Sequence, residues 1–459
     1  MRGPKVTVIG AGSYFFGRPV IHKFATSPHL AGGTLALVDT DPHVLDTMVA
    51  LEKRVFAEEK ADVKVIGSVD RRKVMKNSDF VVLTFSGRNA HYRGVDTEIA
   101  MKHGIRMCSS DTIGPGGIFR AMREIPHIMD ICKDVRKLCP DTWLINFINP
   151  TSVIGIALKR YAADIRSFAL CDGHHEPYNT LNWCKWLEIL PHDATVVPPD
   201  VARDLELKIG GVNHCTFLTR FTFRGKDLLP IFREQLVKNA KDELKKPSEK
   251  AKPRLNQNYA LQLFDLYGAF PTAVSHTKEY VPFFQGYGVA KNVPEPIRCF
   301  DAKNRQQEMD YAWKDTEGYA KGTKPMADFM KLVHNDHATD IIESMWASLR
   351  KPFYINQFNQ GAITNMPDDA FVELRSDVDM NGPRPHPFGP MPRGVLALQM
   401  QVLDTHELTA EAAVNGDRAI LRRAMLTDPL CNNIADADNC IADLLKAERE
   451  ALPAMWYKK

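Results

Sequence analysis

The sequence predicts an α/β protein in which an N-terminal doubly wound parallel sheet is followed by a C-terminal α+β part. Two observations carry this. In the first 170 residues, short runs rich in Val, Ile, Leu and Phe alternate with longer stretches of helical spacing, the order that builds strand–helix–strand units. The apolar runs also lack polar alternation, as strands covered on both faces do. A chain of 459 residues exceeds one small core. Two units are therefore expected, residues 1–200 and 201–459.

Taken in order, residues 5–9, 35–38, 80–85, 143–147 and 168–170 read as strands. Residues 19–27 and 44–58 have helical length and spacing. Past residue 200 the pattern changes. Residues 206–210 and 216–223 suit antiparallel strands, and 238–254 a basic surface helix or loop. Helices are expected to dominate from Tyr259 onward, with 381–394 a Pro- and Gly-rich loop. The site is expected where the two parts meet.

The charge balance, 59 Lys and Arg against 56 Asp and Glu, leaves +3. So small an excess argues against a nucleic acid or a membrane surface as partner. Nine cysteines, at 108, 132, 139, 171, 184, 215, 299, 431 and 440, are scattered without a Cys-x-x-Cys pair, which suits reduced thiols. No charged segment precedes an apolar one at the start, and no apolar run nears the roughly 20 residues of a spanning helix. A cytoplasmic location is expected.

The first strand runs into Gly10-Ala11-Gly12-Ser13 and then a helix. Glycines at such a turn let backbone approach a pyrophosphate, and the helix N-terminus supplies N–H donors and positive dipole. The third position of the Gly-x-Gly-x-x-Gly pattern is Phe15, with Gly17 two residues later. Asp39 ends the second strand, where a carboxylate accepts both ribose hydroxyls and repels a 2′-phosphate. A Rossmann-type site for NAD, built from Gly10, Gly12, Ser13 and Asp39, is the expectation.

Four further segments set polar groups beside glycines or at strand ends: 111–120, Asn149-Pro150, Cys171-Asp172-Gly173-His174-His175, and Gly211-Val212-Asn213-His214. The Asn149 amide suits a nicotinamide ribose or a substrate hydroxyl. A Cys, three His and an Asp suit a borderline-soft divalent metal. Their spacing fits no zinc-finger template, and a buried Cys with a hydrogen-bonded His is the other reading. Arg88, His91 and Arg93 follow the third strand. They suit an anionic sugar, with Arg as bidentate partner, or else solvated loop charges and dimer contacts.

Together with Thr112-Ile113-Gly114-Pro115-Gly116-Gly117 and the run from Asn359 to Asp368, these motifs resemble, in order, those of glycoside hydrolase family 4. The stretch from Gly268 through His276, Glu279 and Tyr280 is most similar to the branch acting on α-glucosides, α-galactosides and hexuronides. The resemblance implies a lactate/malate dehydrogenase-like fold, a homodimer or homotetramer, bound NAD and a divalent metal, manganese. It implies hydrolysis of an α-glycoside by hydride transfer from sugar C3, loss of the C2 proton, elimination, addition of water and return of the hydride. By position, Cys171 and His214 would be metal ligands, Asp172 the general acid, Tyr280 the C2 base, and Asn149 a substrate contact; Arg88, Arg93, His174 and His175 are expected as further substrate contacts from their place in the chain. Asp172 resembles the phospho-α-glucosidases instead, and the paired histidines match neither branch. A related family of NAD-dependent sulfoquinovosidases is the other match, with the histidines or a cation in place of metal. A net NAD-dependent dehydrogenase of a sugar or 2-hydroxy acid shares fold and cofactor and stays open at this point.

Overall fold

The computed structural model describes residues 2–13, 17–171, 173, 178–245, 255–286, 297–333 and 337–458. The strands are β1 Lys5–Ile9, β2 Gly33–Val38, β3 Val63–Ser68, β4 Phe80–Leu83, β5 Trp143–Asn146 and β6 Ser167–Ala169. They continue with β7 Leu205–Val212, β8 Cys215–Phe223, β9 Lys226–Asp227, β10 Phe270–Pro271, β11 Pro352–Phe358, β12 Phe371–Asp379 and β13 Gly382–Pro385. β3-β2-β1-β4-β5-β6 lie side by side and all parallel, the order of a doubly wound sheet.

Alternate residues explain why these strands carry no polar alternation. Val6, Val8, Leu35 and Leu37 pack on one face, beneath Gly17–Thr26 and Pro42–Glu58. Ile9, Ala36, Val38, Val81 and Leu83 pack on the other, beneath Gly114–Leu138 and Thr151–Tyr161. Each face is covered by helices, so each must be apolar. Asp41 caps Pro42–Glu58 by accepting from the His43 and Val44 N–H groups, so that helix begins two residues before its apolar spacing.

The sheet does not stop at the end of the parallel strands. β11 pairs antiparallel with β6, β12 lies between β11 and β7, and β8 and β10 extend the antiparallel half. Residue 200 thus falls at a change of strand direction within one continuous sheet. Gly155 brings Thr151–Tyr161 against this junction, since a Cβ there would lie 2.2 Å from the Phe371 ring.

Helices dominate beyond Tyr259 as expected, but the same stretch also supplies β11 and β12, central strands that the sequence pattern did not show. The 381–394 loop contains β13, which pairs with β12. β3 has no clear strand signal in the sequence, and its half-exposed edge position explains why. Among the described residues no helix is long and apolar enough to cross a membrane.

Candidate active site

Every parallel strand delivers its chain to the same edge of the sheet, and the glycine turn, Asp39, Asn149 and Cys171 lie just past those ends. At the first, Gly10 sits at φ 95°, and a Cβ there would come within 2.6 Å of the Phe85 nitrogen. A Cβ at Gly12 would meet Val44 at 2.1 Å, and one at Gly17 the Ala11 carbonyl at 2.4 Å. Gly17 therefore does the close-packing work of the third glycine, two positions later than the pattern places it. The Asp39 carboxylate accepts from Gly12 N–H at 3.0 Å and from Asp41 N–H at 3.1 Å. Turn, helix N-terminus and acid at the end of β2 form a cradle that fits a dinucleotide pyrophosphate and ribose. Ser13 N–H closes the turn on the Gly10 carbonyl at 3.0 Å.

β6 delivers Cys171 and the β7–β8 hairpin delivers His214. The Cys171 Sγ and His214 Nε2 lie 2.8 Å apart. A divalent ion about 2.3 Å from sulfur and about 2.1 Å from nitrogen needs donors about 3.1–3.6 Å apart at ligand angles of about 90–110°, so the pair has to open by only a few tenths of an ångström or somewhat more to hold one. His214 stands in the left-handed region, φ 61°, a placement that costs a non-glycine residue about 1–2 kcal/mol. Its ring stacks on His276 with centroids 3.9 Å apart. Asp172, His174 and His175 lie outside the described residues.

His276 belongs in turn to a group that the sequence did not single out as a site. Asp111, His276 and Glu279 each bring a donor atom within 4.8 Å of the others. Asp111 accepts from Arg120 at 3.2 Å, Asn149 at 3.3 Å and the Ser109 hydroxyl, and Arg93 lies 3.5 Å away. Burial alone would raise its carboxyl, but the two guanidinium groups outweigh that and hold it well below the usual carboxylate range. Burial pushes Glu279 up to about 7 against the Ser109 and Cys108 N–H groups it accepts from at 2.7 Å. Burial, with Arg93 and Lys278 beside it, keeps His276 below its ordinary value despite Asp111. The signal for this group was present: His276 and Glu279 are three apart, and Asp111 opens the glycine-rich segment.

Asn149 is half-buried, its amide nitrogen on Asp111 and its oxygen accepting from the Thr151 hydroxyl at 2.8 Å. Arg88 is exposed at the start of Asn89–Lys102, over the Tyr92 ring. Arg93 is buried, donating to the Ser109 carbonyl and lying 4.0 Å from the Phe300 ring centroid. The structure thus separates the two arginines into one exposed and one enclosed. Tyr280 is fully enclosed and donates to the Asn213 carbonyl at 3.1 Å, and burial pushes its phenol well above its ordinary value.

A model of "Family 4 glycosyl hydrolase" matches residues 5–182, and one of "Family 4 glycosyl hydrolase C-terminal domain" matches residues 209–431. The chain belongs to glycosyl hydrolase family 4. It is similar to an α-galactosidase of Bacillus subtilis, 29% identical over 98% of this chain and 99% of the relative. An α-galacturonidase of the same organism is 26% identical over 96% and 97%. A 6-phospho-α-glucosidase from gut microorganisms, solved with NAD and Mn2+, superposes with TM-score 0.76 at 20% identity over 98% and 99%. The family makes this chain an enzyme, a glycoside hydrolase.

Proposed function

We propose that this family 4 enzyme hydrolyses an α-glycoside of a hexose or hexuronic acid with NAD and a divalent metal, manganese, as resident groups. The observation that carries the reading is the Cys171–His214 donor pair, whose cysteine lies past the end of β6 on the sheet edge that also carries the glycine turn and Asp39. Relatives named for α-galactosides and α-galacturonides support the sugar class. When bound, NAD supplies a reversible hydride acceptor for sugar C3, and the divalent ion supplies a Lewis acid for the sugar oxygens.

The chain's own residues do the rest. Gly10, Gly12 and Ser13 present backbone to the pyrophosphate, and Asp39 takes the ribose hydroxyls. Cys171 and His214 hold the ion, and the half-buried Asn149 orients a ring hydroxyl. Arg88, the exposed guanidinium near this edge, is the partner for a C6 carboxylate. Asp172 is the proton donor to the leaving oxygen. His276, half-buried and neutral, is better placed than the enclosed Tyr280 to receive the C2 proton.

Aryl α-glycosides should be cleaved only with NAD and manganese, and a chelator should stop the reaction. In deuterium oxide the released sugar should carry deuterium at C2. Full retention of C2 protium in the product would sink this route. NADH accumulating in step with product would instead identify a net dehydrogenase.

A further inference from the structure

The β7–β8 connection is a two-residue turn, Asn213-His214, closed by the Val212↔Cys215 pair. Only His214 of the two has positive φ, and such a turn does not match the twist of the flanking strands. The flanking strands do not favour it, so the surroundings help to hold it. Among the described residues, five side-chain hydrogen bonds converge on it. Gln399, from Arg393–Asn415, accepts from Val212 N–H and donates to the Cys215 carbonyl, both at 2.5 Å. Tyr280 donates to the Asn213 carbonyl at 3.1 Å and Thr277 to the His214 carbonyl at 2.8 Å.

The fifth bond differs from the rest. The Asn213 amide donates at 2.7 Å to Glu373 Oε2, a carboxyl 1% exposed in the middle of β12. Glu373 stands opposite Gly211 on β7 and Asn356 on β11, and Asn356 stands opposite Ala169 on β6. One register row of the sheet therefore connects the strand that delivers Cys171 to the turn that delivers His214. A glutamate in the centre of an apolar sheet is costly, and hydrophobic packing does not account for it.

We propose that Glu373 is a positioning residue for the metal ligand His214, holding through Asn213 the strained turn that sets the imidazole 2.8 Å from the Cys171 sulfur. The inference rests on the metal reading above. It gives Tyr280, Thr277 and Gln399 the same task from the other sides of the turn.

The test is manganese(II) chloride titrated into metal-free, NAD-loaded protein, with free manganese read by electron paramagnetic resonance. Glu373→Leu and Asn213→Ala should each weaken manganese binding about 10- to 100-fold, the usual effect of losing an outer-shell partner. Glu373→Gln keeps an acceptor oxygen and should stay within about threefold of wild type. NAD affinity should be unchanged in all three, and the double variant should be no worse than the weaker single one. Turnover should recover at saturating manganese, which a general loss of folding would not allow. If Glu373→Leu fails to fold, Asn213→Ala decides. Manganese bound as tightly as in wild type by Asn213→Ala or by folded Glu373→Leu overturns the proposal. If His214→Ala binds manganese like wild type, or wild type binds none, the metal reading itself falls and takes this inference with it.

Discussion

Replacing Asp39 by Ala tests the dinucleotide cradle most directly. In the structure the half-buried carboxylate already serves two N–H groups, Gly12 at 3.0 Å and Asp41 at 3.1 Å, and a ribose diol would use its remaining lone pairs. A hydrogen bond to a charged acceptor contributes about 1.5–3 kcal/mol. Losing the ribose contact should therefore raise the NAD dissociation constant about 10- to 150-fold. Loosening of the Gly12 turn adds to the loss. NADP binding should change far less, because the carboxylate that repels its 2′-phosphate leaves with the substitution. Titration calorimetry with each nucleotide reads both effects. An NAD constant within threefold of wild type, in a protein that melts normally, would refute the placement of ribose on Asp39.

Cys171→Ser should lose its manganese on dialysis, since a hydroxyl at neutral pH is a far poorer ligand than a thiolate; metal analysis showing wild-type content would count against Cys171. Asp428 accepts from Gly114 N–H at 2.7 Å, and burial pushes it up to about 7. Its folded pKa lies above the unfolded value near 3.9, so its contribution to stability is full below about pH 4 and is lost as pH rises to about 7. Melting curves of Asp428→Asn against wild type should therefore shift in the variant's favour by a few degrees between pH 5 and 8, and a constant difference would contradict the assignment. Gly155→Ala pushes a methyl to 2.2 Å from the Phe371 ring, an overpacking that costs about 1–3 kcal/mol and should lower the melting temperature; unchanged melting would mean that the helix can shift off β12.

Much of the fold was readable because the covered parallel strands carry an unbroken apolar signal. Lys5–Ile9 was read to the residue, and Leu35 and Leu37 announce one face as plainly as Ala36 and Val38 the other. What escaped was long-range. β11 and β12 hold Asn356 and Glu373 at their centres, residues that weaken a strand reading until the partner at Asn213 is known. In the site, Asp39 and the glycines were legible because local chain geometry brings them together. The pairing of Cys171 with His214 came through the family resemblance, since 43 residues and a change of strand direction separate them. Tyr280 shows the limit of position-by-position transfer: its place in a motif was visible, but not the enclosure that turns its hydroxyl toward Asn213. Arg93 was grouped with Arg88 as a contact for an anionic sugar because nothing nearby in sequence shows that Ser109 and Asp111 enclose it.

The insertion of β11 between β6 and the antiparallel half has a consequence for synthesis on the ribosome. β6 ends at Ala169, and the strand that covers its edge begins only at Pro352. At about 5–20 residues per second, the nascent chain shows an open, apolar strand edge for on the order of 10–40 s. Such an edge is a template for pairing with another chain. A polypeptide released after the parallel strands would keep that edge for good, although all six of its own strands can pair. The edge of β6 therefore stays uncovered by its partner strand until translation has entered the last quarter of the chain.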